Sequence, residues 1–126
     1  MPFNTTTNYL MTKKSISIIT FARQLNNVTA MLYGPGQLDT VGVPIPCFGR
    51  LKRLTIYDSN TSQSIDAAVD IELGDLISVQ AEYVSTSFTI SVMKNLTTTE
   101  LSISGIGGYR AVWATIVVEL VDPVIQ

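Results

Sequence analysis

Apolar and polar residues alternate along most of this chain with a period of two, the signature of half-buried strands. The clearest stretch places Ile65, Ala67, Val69, Ile71 and Leu73 in one phase. After Gly74-Asp75, a second alternation follows through Ile77, Val79, Ala81 and Tyr83. Residues 64–73 also admit a short helix capped by Ser64, with Ile65, Ala68 and Val69 as its stripe. The β-branched run continuing directly into LISVQAEY favours the strand. Phe88, Ile90 and Val92 then alternate with Thr89 and Ser91. A polar tip at residues 94–98 leads into a strand over 100–104, and GIGG at 105–108 reads as a loop.

Upstream, SISIITFA at 15–22 alternates and then changes phase at Ile18-Ile19, which predicts a β-bulge or burial on both faces. Residues 27–33 form a further candidate strand, and VGVPIP with Pro44 and Pro46 reads as loop or edge. In GRLKRLTIYD at 49–58, Arg50 and Lys52 share one side and Arg53 the other, before the turn cluster DSNTSQ. The closing stretch VWATIVVELV is apolar in both phases. Val112, Ala114, Ile116, Val118 and Leu120 form one face, and Trp113, Val117 and Val121 the other. The outward face of a sandwich is normally polar, so something covers this second face, either the N-terminal segment or another subunit.

Eight or nine short strands, separated by turn signals about every 8–12 residues and with no firm helix, predict an all-β antiparallel sandwich or jelly roll over residues 15–126. Residues 1–14 lack periodicity and read as an extended N-terminal arm, with Phe3, Tyr9, Leu10 and Met11 as possible anchors. Fully extended, the arm reaches on the order of 45 Å, enough to cross a neighbouring subunit.

Composition agrees with a folded domain: 46% of the 126 residues are hydrophobic and only 14% are charged. A domain of this length buries roughly two-thirds of its unfolded surface without disulfides. The net charge of −2 supplies no basic field for phosphates, so no nucleic-acid partner is expected. The start MPFNTTTNYLMTKK lacks a charged-then-apolar leader, which predicts synthesis in the host cytosol. The C-terminal apolar run is interrupted by Glu119 and is too short for a membrane span.

Candidate chemistry is sparse. With no histidine and a single cysteine, zinc fingers, histidine-dependent triads and disulfide scaffolds are excluded, and neither an enzyme nor a cofactor is expected. Cys47 in PIPCFG reads as a small buried hydrophobe. The four Asn-x-Ser/Thr triplets, at Asn4, Asn27, Asn60 and Asn95, read as unmodified without a secretory leader. Asp70, Glu72 and Asp75 are the one acidic cluster. They lack calcium-loop spacing and read as a solvated face and turn. The glycine-rich GIGGYR precedes a strand rather than a helix, so it is no dinucleotide loop. Arg50, Lys52 and Arg53 read as a solvated or inter-subunit face.

The stretches SIDAAVDIELGDLISVQAEY, SFTISVMKNLTTTELSIS and VWATIVVELV together resemble small jelly-roll capsid decoration (cement) proteins of tailed bacteriophages. The resemblance rests on Gly74-Asp75 running into Ile77-Ser78-Val79, on the Lys94-Asn95 hairpin with residues 97–99, and on the closing apolar strand. ITFARQLNNVTAMLYG and VGVPIPCFGRLKRLTI look like the front half of such domains. In this chain Asn95-Leu96 stands where Asn-Gly is usual. The resemblance implies a homotrimer on the virion's outer capsid surface that clamps capsomers of the major capsid protein. The alternative is a trimeric tail-fibre or baseplate receptor-binding module, with Tyr33, Tyr57, Tyr109 and Trp113 as candidate sugar-contacting aromatics, although Trp113 in mid-strand reads as core. A standalone lectin is a further rival. Candidate subunit or capsid contacts are Phe3, Tyr9, Leu10, Met11, Trp113, Val117 and Val121.

Overall fold

A computed structural model describes residues 12–35, 42–45, 48–58, 61–107 and 111–123. It is built from nine strands: β1 (Thr12–Gln24), β2 (Ala30–Met31), β3 (Val43–Pro44), β4 (Phe48–Asp58), β5 (Ser62–Ile71), β6 (Leu76–Val84), β7 (Ser87–Lys94), β8 (Thr97–Gly107) and β9 (Ala111–Pro123). Two antiparallel sheets face each other, one ordered β1-β9-β4-β5 and the other β2-β6-β7-β8 with β3 alongside β6. The all-β sandwich is therefore established. Sequence neighbours pair within a sheet in the β4–β5 hairpin and the β6–β7–β8 meander, and this order does not establish jelly-roll connectivity. No described helix is long and apolar enough to cross a membrane.

The core lies between the sheets and follows the predicted phases. Val112, Ala114, Ile116 and Val118 of β9 meet Ile77, Val79 and Ala81 of β6 and Phe88, Ile90 and Val92 of β7, all buried. Ile65, Ala67 and Val69 pack against this cluster and Ile71 is buried within it, so residues 62–71 form a strand and not a helix. Leu73, in the same phase by count, falls in the turn after β5 and is exposed. Leu32 and Tyr33 tie the sheets together, because the Leu32 amide donates to the Val79 carbonyl while Tyr33 exchanges two backbone bonds with Ala22.

Three sequence expectations need correction. β1 pairs with β9 without a break from Thr12 to Gln24, so the phase change at Ile18-Ile19 is not a bulge. Ile16 and Ile18 point outward while Phe21 enters the core from the opposite phase. A bulge instead lies between Leu51 and Arg53, in register with both β5 and β9. The extra residue, Lys52, resets the alternation and brings Arg50 and Arg53 onto the same face. GIGG is not wholly a loop either, since β8 runs on to Gly107. Phe88 pairs with Ile106 and Ile90 with Ile103, so the strand bulges there, with Gly105 at a φ of +80°. This bulge lets Ile103 and Ile106 both enter the core at a spacing of three.

A second irregularity of β8 is satisfied locally. Between the Ser91–Ser102 and Met93–Thr98 pairs, the Thr99 hydroxyl donates to the Val92 carbonyl at 2.8 Å and accepts from the Leu101 amide at 3.2 Å. One side chain thus serves two backbone groups that the ladder has left over. β1 also begins at Thr12, so the last three residues read as arm from sequence pair with β9.

Candidate functional site

The two outer faces of the sandwich differ in chemistry. That of β6–β7–β8 carries hydroxyl pairs at Ser91–Ser102 and Thr89–Ser104, with Ser91 buried. That of β1–β9–β4–β5 carries the exposed Ile16, Ile18, Phe48, Tyr57 and Trp113, and the register resolves it into rows across the strands. Directly opposite residues in antiparallel strands point to the same side, so each row is a line of neighbouring side chains.

The first row is Ala22, Trp113, Tyr57 and Ser62, and the next is Thr20, Thr115, Thr55 and Ser64. The third joins Ile18, Val117, Arg53 and Asp66, and the fourth Ile16, Glu119, Arg50 and Asp70. Val121 and Phe48 pair beyond them. In the third and fourth rows the face is therefore apolar on β1 and charged on β4 and β5, with Glu119 of β9 between them. Ile16 and Ile18 are 63% and 62% exposed, high values for isoleucines in the middle of a thirteen-residue strand.

On the charged side, the Arg53 guanidinium holds Asp66 through two contacts of 2.6 and 3.2 Å, and Arg50 holds Asp70 at 3.0 Å. These pairs are solvated and add little stability. The hydrogen bond from Arg53 lowers the pKa of Asp66, and the same bond raises that of Arg53. Their consequence is neutralisation, because each strand-β4 arginine meets a strand-β5 aspartate. An open depression of about 600 Å³ lies where the two halves meet, lined by Ile16, Val117, Ala68, Lys52, Arg53 and Asp66.

The acidic cluster singled out in the sequence is dispersed into structural work. Asp70 faces Arg50, whereas Asp75 accepts the Glu72 amide at 2.8 Å and the Asn95 side-chain amide at 3.0 Å. Those two bonds, Asn95 first, pull the Asp75 pKa below the ordinary carboxylate range. Among the described residues, no group of three or more histidine, cysteine or carboxylate side chains is placed to hold a metal. Nothing there positively indicates catalysis.

Of the residues singled out as contacts, Trp113, Val117 and Val121 do lie together on the outward side of β9. Trp113 is 41% exposed and tilted against Tyr57 at 5.8 Å, so it is not a core residue. Phe3, Tyr9, Leu10 and Met11, together with Cys47 and Tyr109, fall outside the described residues. The sequence reading missed Ile16, Ile18 and Phe48. The signal for the isoleucines was present: they share one phase, and the bulky Phe21 occupies the other. No protein-family model, curated protein or solved structure matches the chain.

Proposed function

We propose that this protein is a virion structural protein, a capsid decoration protein that sits on the outer capsid as a homotrimer and clamps neighbouring capsomers. The observation that carries the reading is the largely apolar half-face of β1 and β9, where Ile16 and Ile18 stand exposed beside Val117 and Val121, with Glu119 opposite Ile16. Two isoleucines more than 60% exposed in one strand mark a surface suited to contact. Burying both contributes about 2–3 kcal/mol per contact from apolar area alone. Association must exceed the cost of immobilising the partners, and repetition over a symmetric lattice turns modest contacts into firm attachment. The resemblance of the β5–β9 sequence to phage cement proteins supplies the partner class, a major capsid protein. Under this reading the protein is not an enzyme and needs no cofactor.

The test is co-sedimentation of the purified chain with particles of the encoding phage that lack it. Saturable binding at a fixed ratio to capsomers, weakened by removing residues 1–11 ahead of β1, is the expected outcome. Unaltered binding by the shortened chain would remove the arm from the clamp, and absence of binding to any capsid would refute the assignment. The second reading, a trimeric tail-fibre or baseplate receptor-binding module, is favoured by a separate feature, the exposed aromatic row at the other end of the same face.

A further inference from the structure

We infer that the end of the β1–β9–β4–β5 face farthest from Val121 binds a neutral oligosaccharide, with Trp113 and Tyr57 as its platform and a row of hydroxyls beside them. This inference goes beyond the capsid reading and does not depend on it.

Trp113 and Tyr57 are paired residues of adjacent strands, 41% and 49% exposed, with ring centroids 5.8 Å apart and planes 47° apart. The spacing is close to the advance of one pyranose along a glycan, so two rings serve two successive sugars. The Ala22–Tyr33 bridge extends the same row with a third aromatic, Tyr33. Its ring lies 4.5 Å from the Arg23 guanidinium, which is itself anchored on the Met31 carbonyl at 2.8 Å. By contrast, Phe21 and Phe88 are fully buried, so this fold does not lack interior sites for large rings.

The neighbouring row decides the ligand class. Thr20, Thr115, Thr55 and Ser64 place four hydroxyl side chains across four strands, immediately beside the aromatics. Thr55 and Ser64 share a hydrogen bond of 2.8 Å, which fixes both oxygens. A sugar has an apolar C–H face and a polar hydroxyl rim, and these two rows offer a partner for each. The ion pairs begin one row further on with Arg53 and Asp66, and Arg23 meets the aromatic row at its far end, on Tyr33. A nucleic acid would need a run of cations along both rows, and a lipid surface would need apolar groups where the hydroxyls stand. The tilt between the rings suits a chain whose successive sugars turn, rather than a flat ribbon.

Trp113 is the only tryptophan in the chain, so its fluorescence reports on the platform alone. The full chain is titrated separately with maltohexaose, laminarihexaose, chitohexaose and cellohexaose. A saturable emission change is expected with maltohexaose or laminarihexaose, with a dissociation constant on the order of 0.1–1 mM, and a weaker or no response to chitohexaose and cellohexaose, whose β-1,4 chains are flat ribbons. Tyr57→Ala should weaken that binding about five- to tenfold. Ile18→Lys, at the other half of the face, should leave it unchanged. Circular dichroism of each variant confirms the fold. Silence with all four probes and on a printed array of microbial glycans overturns the inference. Emission that follows protein concentration but no sugar also overturns it, by assigning the aromatic row to a contact between copies. Capsid binding by a protein that ignores every sugar would leave the cement reading standing and remove only this one.

Discussion

Replacing Leu96 by glycine should stabilise the protein, although it removes a leucine. The β7–β8 connection is a two-residue turn in which Asn95 and Leu96 both have positive φ, 51° and 64°. That combination is the type I′ hairpin geometry, whose usual second residue is glycine. A leucine held in the left-handed region costs roughly 1–2 kcal/mol, because its Cβ crowds the backbone. The Leu96 side chain is 58% exposed, so truncating it gives up little burial. Allowing for the greater freedom glycine gains in the unfolded chain, the net gain is about 1 kcal/mol. For a domain of this size, that is a rise in melting temperature of about 4 °C. Thermal unfolding followed by circular dichroism at fixed protein concentration reads it directly. An unchanged or lower melting temperature would refute the strain argument and show that the Leu96 side chain makes a contact worth more than its backbone costs.

Two further substitutions test other parts of the fold. Gly49 lies between β5 and β9, and a Cβ there would run into the carbonyl of Glu119, a backbone group that cannot swing aside. Gly49→Ala should therefore destabilise by at least about 2 kcal/mol, and a wild-type denaturant midpoint would contradict that packing. Asp75 has its pKa lowered by the Asn95 and Glu72 hydrogen bonds, so its contribution is complete above the ordinary carboxylate pKa of about 3.9 and is lost as pH falls through the lowered folded value. The melting-temperature gap between the wild type and Asp75→Asn should accordingly narrow as pH falls below about 4, and a gap independent of pH would show that Asp75 acts without its charge.

The strands and their inward residues were legible because burial on one face imposes a period of two, as in Ile65–Val69 and Phe88–Val92. Lys52 was not, since a bulge is a property of two paired strands and β4 alone alternates plausibly either way. Gly105 was misread for a similar reason: glycines signal a loop locally, while the pairing of Phe88 with Ile106 keeps the segment in the sheet. The outer face was half legible. The doubly apolar β9 announced a second apolar face in need of a cover, with Val117 and Val121 in it. That Ile16 and Ile18 belong to the same stripe follows only from β1 lying beside β9, a pairing between opposite ends of the chain that local pattern does not reveal. The aromatic and hydroxyl rows are likewise products of strand order, since Trp113, Tyr57 and Tyr33 come from three distant segments.

The central claim is that the β1–β9 half-face is covered by another copy of the chain, and solution mass tests it most directly. Size exclusion with light scattering on the wild type should give about 41 kDa, three copies of a 13.7 kDa chain, and Ile18→Lys or Val117→Lys should lower that mass while circular dichroism stays that of a β-sandwich. A wild-type monomer, or a trimer indifferent to both lysines, would contradict the account.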